Sequence, residues 1–137
     1  MRAFFIVIAI LALTSCANQF DKSRVVQIYY IPFAVETYAP VTMANIESQH
    51  LRHAELHVAS REYNTLMVLL RSSDPGTFDN QLVRVKILRA NSEPTYVDRN
   101  GGMRRASSEA QINALQVSKL DAFLQKITDP RQPRSHD

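Results

Sequence analysis

Three side chains able to hold a metal or move a proton stand at alternate positions in "LRHAELH", residues 51–57: His53, Glu55 and His57. Imidazole and carboxylate are ligands for zinc or copper, and imidazole is the side chain best placed to exchange protons near neutral pH. The two histidines share a face whether the segment is strand or helix, while Glu55 joins them only on a strand, where alternate side chains point the same way. The order His-Ala-Glu-Leu-His departs from the zincin pattern, in which glutamate directly follows the first histidine.

Other chemistry is thinner. No serine lies in a G-x-S-x-G elbow, and Ser60 and Ser108 stand where helix N-caps are expected. Glu36, Glu47, Glu55 and Glu62 could supply a carboxylate pair for glycoside cleavage, a chemistry decided by their separation. Asp98 and Asn100 in "DRNGG" offer oxygens to calcium, but an EF-hand-like loop needs more of them at alternate positions and a distal glutamate; a hairpin turn accounts for each residue. Tyr29, Tyr30, Phe33 and Tyr38 form a ring-rich stretch suited to recognition, with about half of them expected to fill the core. Three glycines leave no phosphate-cradling loop. The residues therefore point to a non-enzymatic binding module without cofactor or metal, the alternative being a small periplasmic hydrolase or metal-binding protein using His53, Glu55 and His57.

The elements that must position these groups follow from periodicity. "VVQIYYI", 25–31, is β-branched and aromatic and stops at Pro32, as a strand does. "MANIESQ" has room for one helical turn. Residues 51–59 alternate, with Ala54, Leu56 and Val58 inward and the histidines and Glu55 outward. Ser60 then caps a helix whose stripe is Tyr63, Leu66, Met67 and Leu70, ending near Arg71. "LVRVKIL", 82–88, alternates with Val83, Val85 and Ile87 inward and Arg84 and Lys86 outward. Asn100-Gly101 predicts a type I′ hairpin. Ser108 with Gln111 forms a capping box ahead of Ile112, Leu115, Leu120, Phe123, Leu124 and Ile127 at helical spacing. The expected fold is α+β, a single domain over 25–127 with a small, mostly antiparallel sheet packed against two helices, followed by a disordered tail at 128–137.

The N-terminus carries an address. Met1-Arg2 precedes "AFFIVIAILAL", an apolar run too short to span roughly 30 Å of hydrocarbon, which takes about 20 residues; the layout is that of a signal peptide over 1–15. Leu13-Thr14-Ser15-Cys16 resembles the lipobox of bacterial lipoproteins. The resemblance implies that Cys16, the one cysteine in the chain, takes a diacylglyceryl group, that cleavage falls between Ser15 and Cys16, and that the new amino group is acylated. Several acyl chains on one residue make a stable anchor where a single chain does not. Ala17, in place of the aspartate that retains such proteins in the inner membrane, points to the outer membrane, with residues 16–24 as a lipidated tether and the domain facing the periplasm.

With no further cysteine, the domain must be held by apolar packing rather than disulfides. The formal charge of +3 comes from sixteen Lys and Arg against thirteen Asp and Glu. Only Arg104 and Arg105 are adjacent, so no basic stripe for nucleic acid is present. The expected partners are outer-membrane lipid, through Cys16, and another envelope or periplasmic protein, in an immunity, inhibitor or envelope-accessory role.

Overall fold

A computed structural model describes residues 24–72 and 74–131. Cys16, the signal-peptide residues 1–15, most of the tether and residues 132–137 lie outside the described residues. The elements are β1 (Val25–Tyr30), α1 (Ile46–Gln49), β2 (Arg52–His57), α2 (Arg61–Leu69), β3 (Val83–Arg89), β4 (Thr95–Asp98), β5 (Gly102–Arg105), β6 (Ser108–Gln111) and α3 (Ala114–Ile127). The strands form one six-stranded sheet in the order β2-β1-β3-β4-β5-β6 with every neighbouring pair antiparallel. This is the α+β domain expected from the sequence. No helix of the described residues is long and apolar enough to cross a membrane.

One face of the sheet packs on α2 and α3. Val26, Ile28 and Tyr30 of β1, Ala54 and Leu56 of β2, Val85 and Ile87 of β3 and Val97 of β4 meet Leu66 and Leu70 from the α2 side and Leu120 and Leu124 of α3. Ser60 caps α2 as expected, its Oγ accepting from the Tyr63 N–H at 3.1 Å. The opposite face carries a smaller cluster of Ile31, Val41, Ile46 and Val83, with Tyr29, Phe78 and Tyr96 packed against it. The segment from Pro32 to His50, including α1, covers part of that face.

Four local expectations change. Ser108–Gln111 is strand β6, paired in register from Arg105↔Ser108 to Gly102↔Gln111, so the capping box belongs to Asn113 and Gln116. There the Asn113 side chain accepts from the Gln116 N–H at 2.9 Å and Gln116 Oε1 accepts from the Asn113 N–H at 3.1 Å. α3 consequently begins later and leaves Leu115 exposed. Second, the register of β3 against β4 shifts between Val83 and Val85. One extra residue in β3 takes Val83 out of the Val85 and Ile87 cluster and into the smaller one, while Arg84 and Lys86, expected outward, are buried at 1% and 9% exposure.

Third, the β4–β5 hairpin is not type I′, which needs positive φ at both central residues. Among the described residues only Gly101 in this turn has positive φ, +86°, and its N–H bonds to the Asp98 carbonyl at 3.2 Å. The buried Asp98 carboxylate sets the turn: Oδ1 accepts from the N–H groups of Asn100 (2.8 Å) and Gly102 (2.9 Å), and Oδ2 from that of Asp79 (2.7 Å). Finally, Thr128, placed with the tail by sequence, is buried and its Oγ1 donates to the Leu124 carbonyl at 2.6 Å.

Candidate binding face

β2 is a strand with alternating burial, so His53, Glu55 and His57 do share one exposed face. Strand rise is about 3.3 Å per residue, which sets His53 and His57 roughly 13 Å apart, too far for one ion. Among the described residues no group of three His, Cys, Asp or Glu side chains is placed to hold a metal. His57 Nδ1 accepts instead from the Ala59 N–H at 3.2 Å, in the turn that leads to α2.

The structure gives His53 other company. Sheet register places it opposite Tyr29 on β1, and α1 delivers His50 from above. The Tyr29 and His53 rings lie 5.1 Å apart, Tyr29 and His50 meet edge-on at 5.0 Å, and the two imidazoles are 6.0 Å apart. His50 Nδ1 donates to the Glu47 carbonyl at 2.6 Å; a carbonyl only accepts, so that nitrogen carries the proton and Nε2 remains for a partner. Tyr29 Oη donates to Gln27 Oε1 at 2.8 Å. Beside the rings, Leu51 is exposed at 62%.

The same face continues across the sheet as a register row: His53, Tyr29, Lys86, Tyr96, Arg104 and Glu109. Lys86 Nζ is ion-paired with Glu47 of α1 and lies 5.6 Å from the Tyr96 ring centre. Burial pulls the Lys86 ammonium down, but Glu47 and Tyr96 outweigh it and the net shift is upward. Glu47 therefore ties α1 to the sheet and holds His50 in place over Tyr29. Arg104 reaches Glu109 at 3.8 Å.

Farther along this face Arg84 is enclosed. Nη1 donates to the Val83 carbonyl at 3.1 Å and Nη2 to that of Val35 at 3.3 Å, and Nε has no hydrogen-bond partner. Burial, then the neighbouring Arg99 charge, lowers its pKa, with Glu36 opposing. Glu36 holds Arg99 through two bonds of 2.5 and 3.0 Å, and the Arg99 guanidinium keeps the Glu36 carboxyl below the ordinary range. Glu36 and Glu47, weighed by sequence as members of a hydrolytic pair, are thus each bound to a different cation.

Of the ring-rich stretch, Tyr30 and Phe33 are in the core, Tyr29 is half-buried in the ring cluster and Tyr38 is fully exposed. On the helical side of the sheet a cleft of about 240 Å³ is lined by the apolar side chains of Val26, Ile87, Tyr63 and Met67 together with Arg89 and Arg105. Arg105 Nε donates there to Thr95 Oγ1 at 2.9 Å. His50 and Lys86 escaped the sequence reading because their roles arise from α1 folding back onto β1 and β3. The one local signal was "ESQH", a helical turn ending in an aromatic-sized polar ring. No family model, no curated protein and no solved structure matches this chain.

Proposed function

We propose that this chain is a lipoprotein, anchored through Cys16 to the periplasmic side of the outer membrane, whose domain binds another envelope protein without catalysis of its own, in an immunity, inhibitor or envelope-accessory role. The observation that carries the binding role is the cluster of Tyr29, His50 and His53 on an accessible sheet face, with the exposed Leu51 beside it. Clustered rings with polar edges, fixed in place beneath by the Glu47–Lys86 ion pair, have the make-up of a protein-recognition patch: large contact area, little side-chain entropy left to lose and hydrogen-bonding groups at the rim. The anchoring half of the reading is supported by the lipobox, residues 13–16, after a short apolar run.

A photo-crosslinking residue placed at His50 in the full-length lipidated chain, in its native envelope, tests the reading. The expected result is one dominant adduct with a different protein from position 50 and none from Lys119, an exposed position on α3. Adducts of equal pattern from both positions, or an adduct only with a second copy of this chain, would overturn it.

A further inference from the structure

The two edges of the sheet are finished differently. Along β6 residues 72 and 74–78 lie alongside: the Asp74 carbonyl accepts from the Gln111 N–H at 3.0 Å, Ser72 Oγ donates to the Gln111 carbonyl, and Glu109 Oε2 accepts from the Phe78 N–H at 3.3 Å. Gly76 approaches so closely that a Cβ there would meet the Ala110 oxygen at 2.9 Å. β2 has β1 on one side and, among the described residues, no strand on the other. Its register against β1 runs unbroken from His57 to Arg52, and it contains neither proline nor bulge, two devices that commonly blunt an edge.

Which backbone groups stand free follows from the pairing. The Val58 N–H donates to the Arg24 carbonyl at 2.9 Å, so this pair is hydrogen-bonded, and alternation makes Val26–Leu56 and Ile28–Ala54 the bonded pairs of the ladder; at its far end the Tyr30 carbonyl accepts from the Leu51 N–H at 3.2 Å. His53, Glu55 and His57 therefore turn their N–H and C=O groups away from β1, to the open edge. Of these groups the His57 carbonyl is already taken by the Ser60 N–H, at 2.8 Å.

We propose that this edge pairs with β2 of a second copy of the chain, antiparallel about a two-fold axis at Ala54, setting His53 opposite Glu55 of the second copy and Glu55 opposite its His53. The occupant follows from the edge's own sequence. The edge-facing positions are odd-numbered, so a two-fold pairing must match odd with odd. The register centred on Ala54 sets imidazole against carboxylate twice, whereas the one centred on Glu55 opposes two carboxylates. Each of the two matched pairs exchanges both of its backbone bonds, and the two sheets become one. The exposed Leu51 is carried to the end of the second copy's strand, beside its His57. A symmetric pairing of this kind closes on itself and leaves no edge for further addition. It concerns the backbone edge rather than the ring face and goes beyond the recognition role proposed above, so that either can fail alone.

The test uses the full-length chain in detergent micelles, with sedimentation equilibrium for association and hydrogen exchange for the amides of His53 and Glu55. The expected result is a concentration-dependent dimer in which those amides are protected. Glu55→Lys and His53→Glu each remove complementarity at two symmetry-related pairs and weaken association about tenfold, taking roughly 0.2–1 kcal/mol per cross-strand pair. The double variant sets glutamate against lysine and restores it. A chain monomeric throughout with freely exchanging edge amides, a dimer indifferent to both single substitutions, or a double variant no better than the singles would each overturn the pairing.

Discussion

Tyr30 Oη donates a hydrogen bond to the Asp121 carboxylate, joining the end of β1 to the middle of α3 through the core. Asp121 Oδ1 also accepts from the Phe33 N–H at 3.1 Å, and Oδ2 from Gln125 Nε2 at 2.8 Å. One carboxylate thus fixes the strand, the turn that leaves it and the helix above it.

Burial, and then donation to Asp121, push the Tyr30 hydroxyl well above the ordinary value of 10.0. Above that value the unfolded chain has released the phenolic proton while the folded chain still holds it, so this contribution to stability is whole below pH 10 and declines as pH rises. Tyr30→Phe should cost about 1–3 kcal/mol at pH 8 by removing one of the three donors to the Asp121 carboxylate, and should flatten the alkaline decline. Urea midpoints from pH 8 to 11 for both proteins check this; equal slopes would remove Tyr30 from the account.

The Asp98 carboxylate serves three backbone donors on two separate loops. Asp98→Ala strands all three and should cost about 3 kcal/mol or more, since bonds to a charged acceptor are worth roughly 1.5–3 kcal/mol each and do not add fully. Asp98→Asn keeps an oxygen for Asn100 and Gly102 but turns an amide toward Asp79, and should fall between the two. Gly102→Ala should resemble Asp98→Ala, because a Cβ there meets the Thr77 carbonyl and the Asp98 carboxylate. Denaturant melts of the three variants give the order directly.

The C-terminal stripe shows what the sequence could and could not convey. Leu120, Leu124 and Leu115 look alike in a helical pattern, yet Leu120 and Leu124 are fully buried and Leu115 is 63% exposed. Ser108–Gln111, the box expected from the sequence, and Asn113–Gln116 five residues later share the same polar-to-glutamine spacing, and local chemistry does not choose between them. The choice is made by β5, which pairs with Ser108–Gln111, a non-local contact. The same reason hid the bulge in β3 that accompanies the burial of Arg84, and α1's delivery of His50 and Glu47. Alternation in β2, the Ser60 cap and the α2 stripe were legible because each depends on neighbours within one or two turns. The difference is measurable: Leu120→Ala should cost about 2–5 kcal/mol and Leu115→Ala less than about 0.5 kcal/mol. Similar losses for the two would return the helix to its earlier start.

The strand geometry of β2 also fixes what its histidines can do with metal. Only the folded state could assemble ligands, so a real site would show as a rise in melting temperature with zinc above pH 7 that vanishes near pH 5, where imidazole is protonated. Side chains roughly 13 Å apart along a strand cannot close on one ion, and His57 is engaged by the Ala59 N–H. Zinc should therefore leave the melting temperature of the folded chain unchanged at pH 7.5. Replacing His53 and His57 together with glutamine should alter stability by less than about 0.5 kcal/mol, as for exposed positions in general. A zinc-dependent rise that the double variant abolishes would show that these residues move together into a ligand set, and would put the metal-binding alternative ahead of the recognition face.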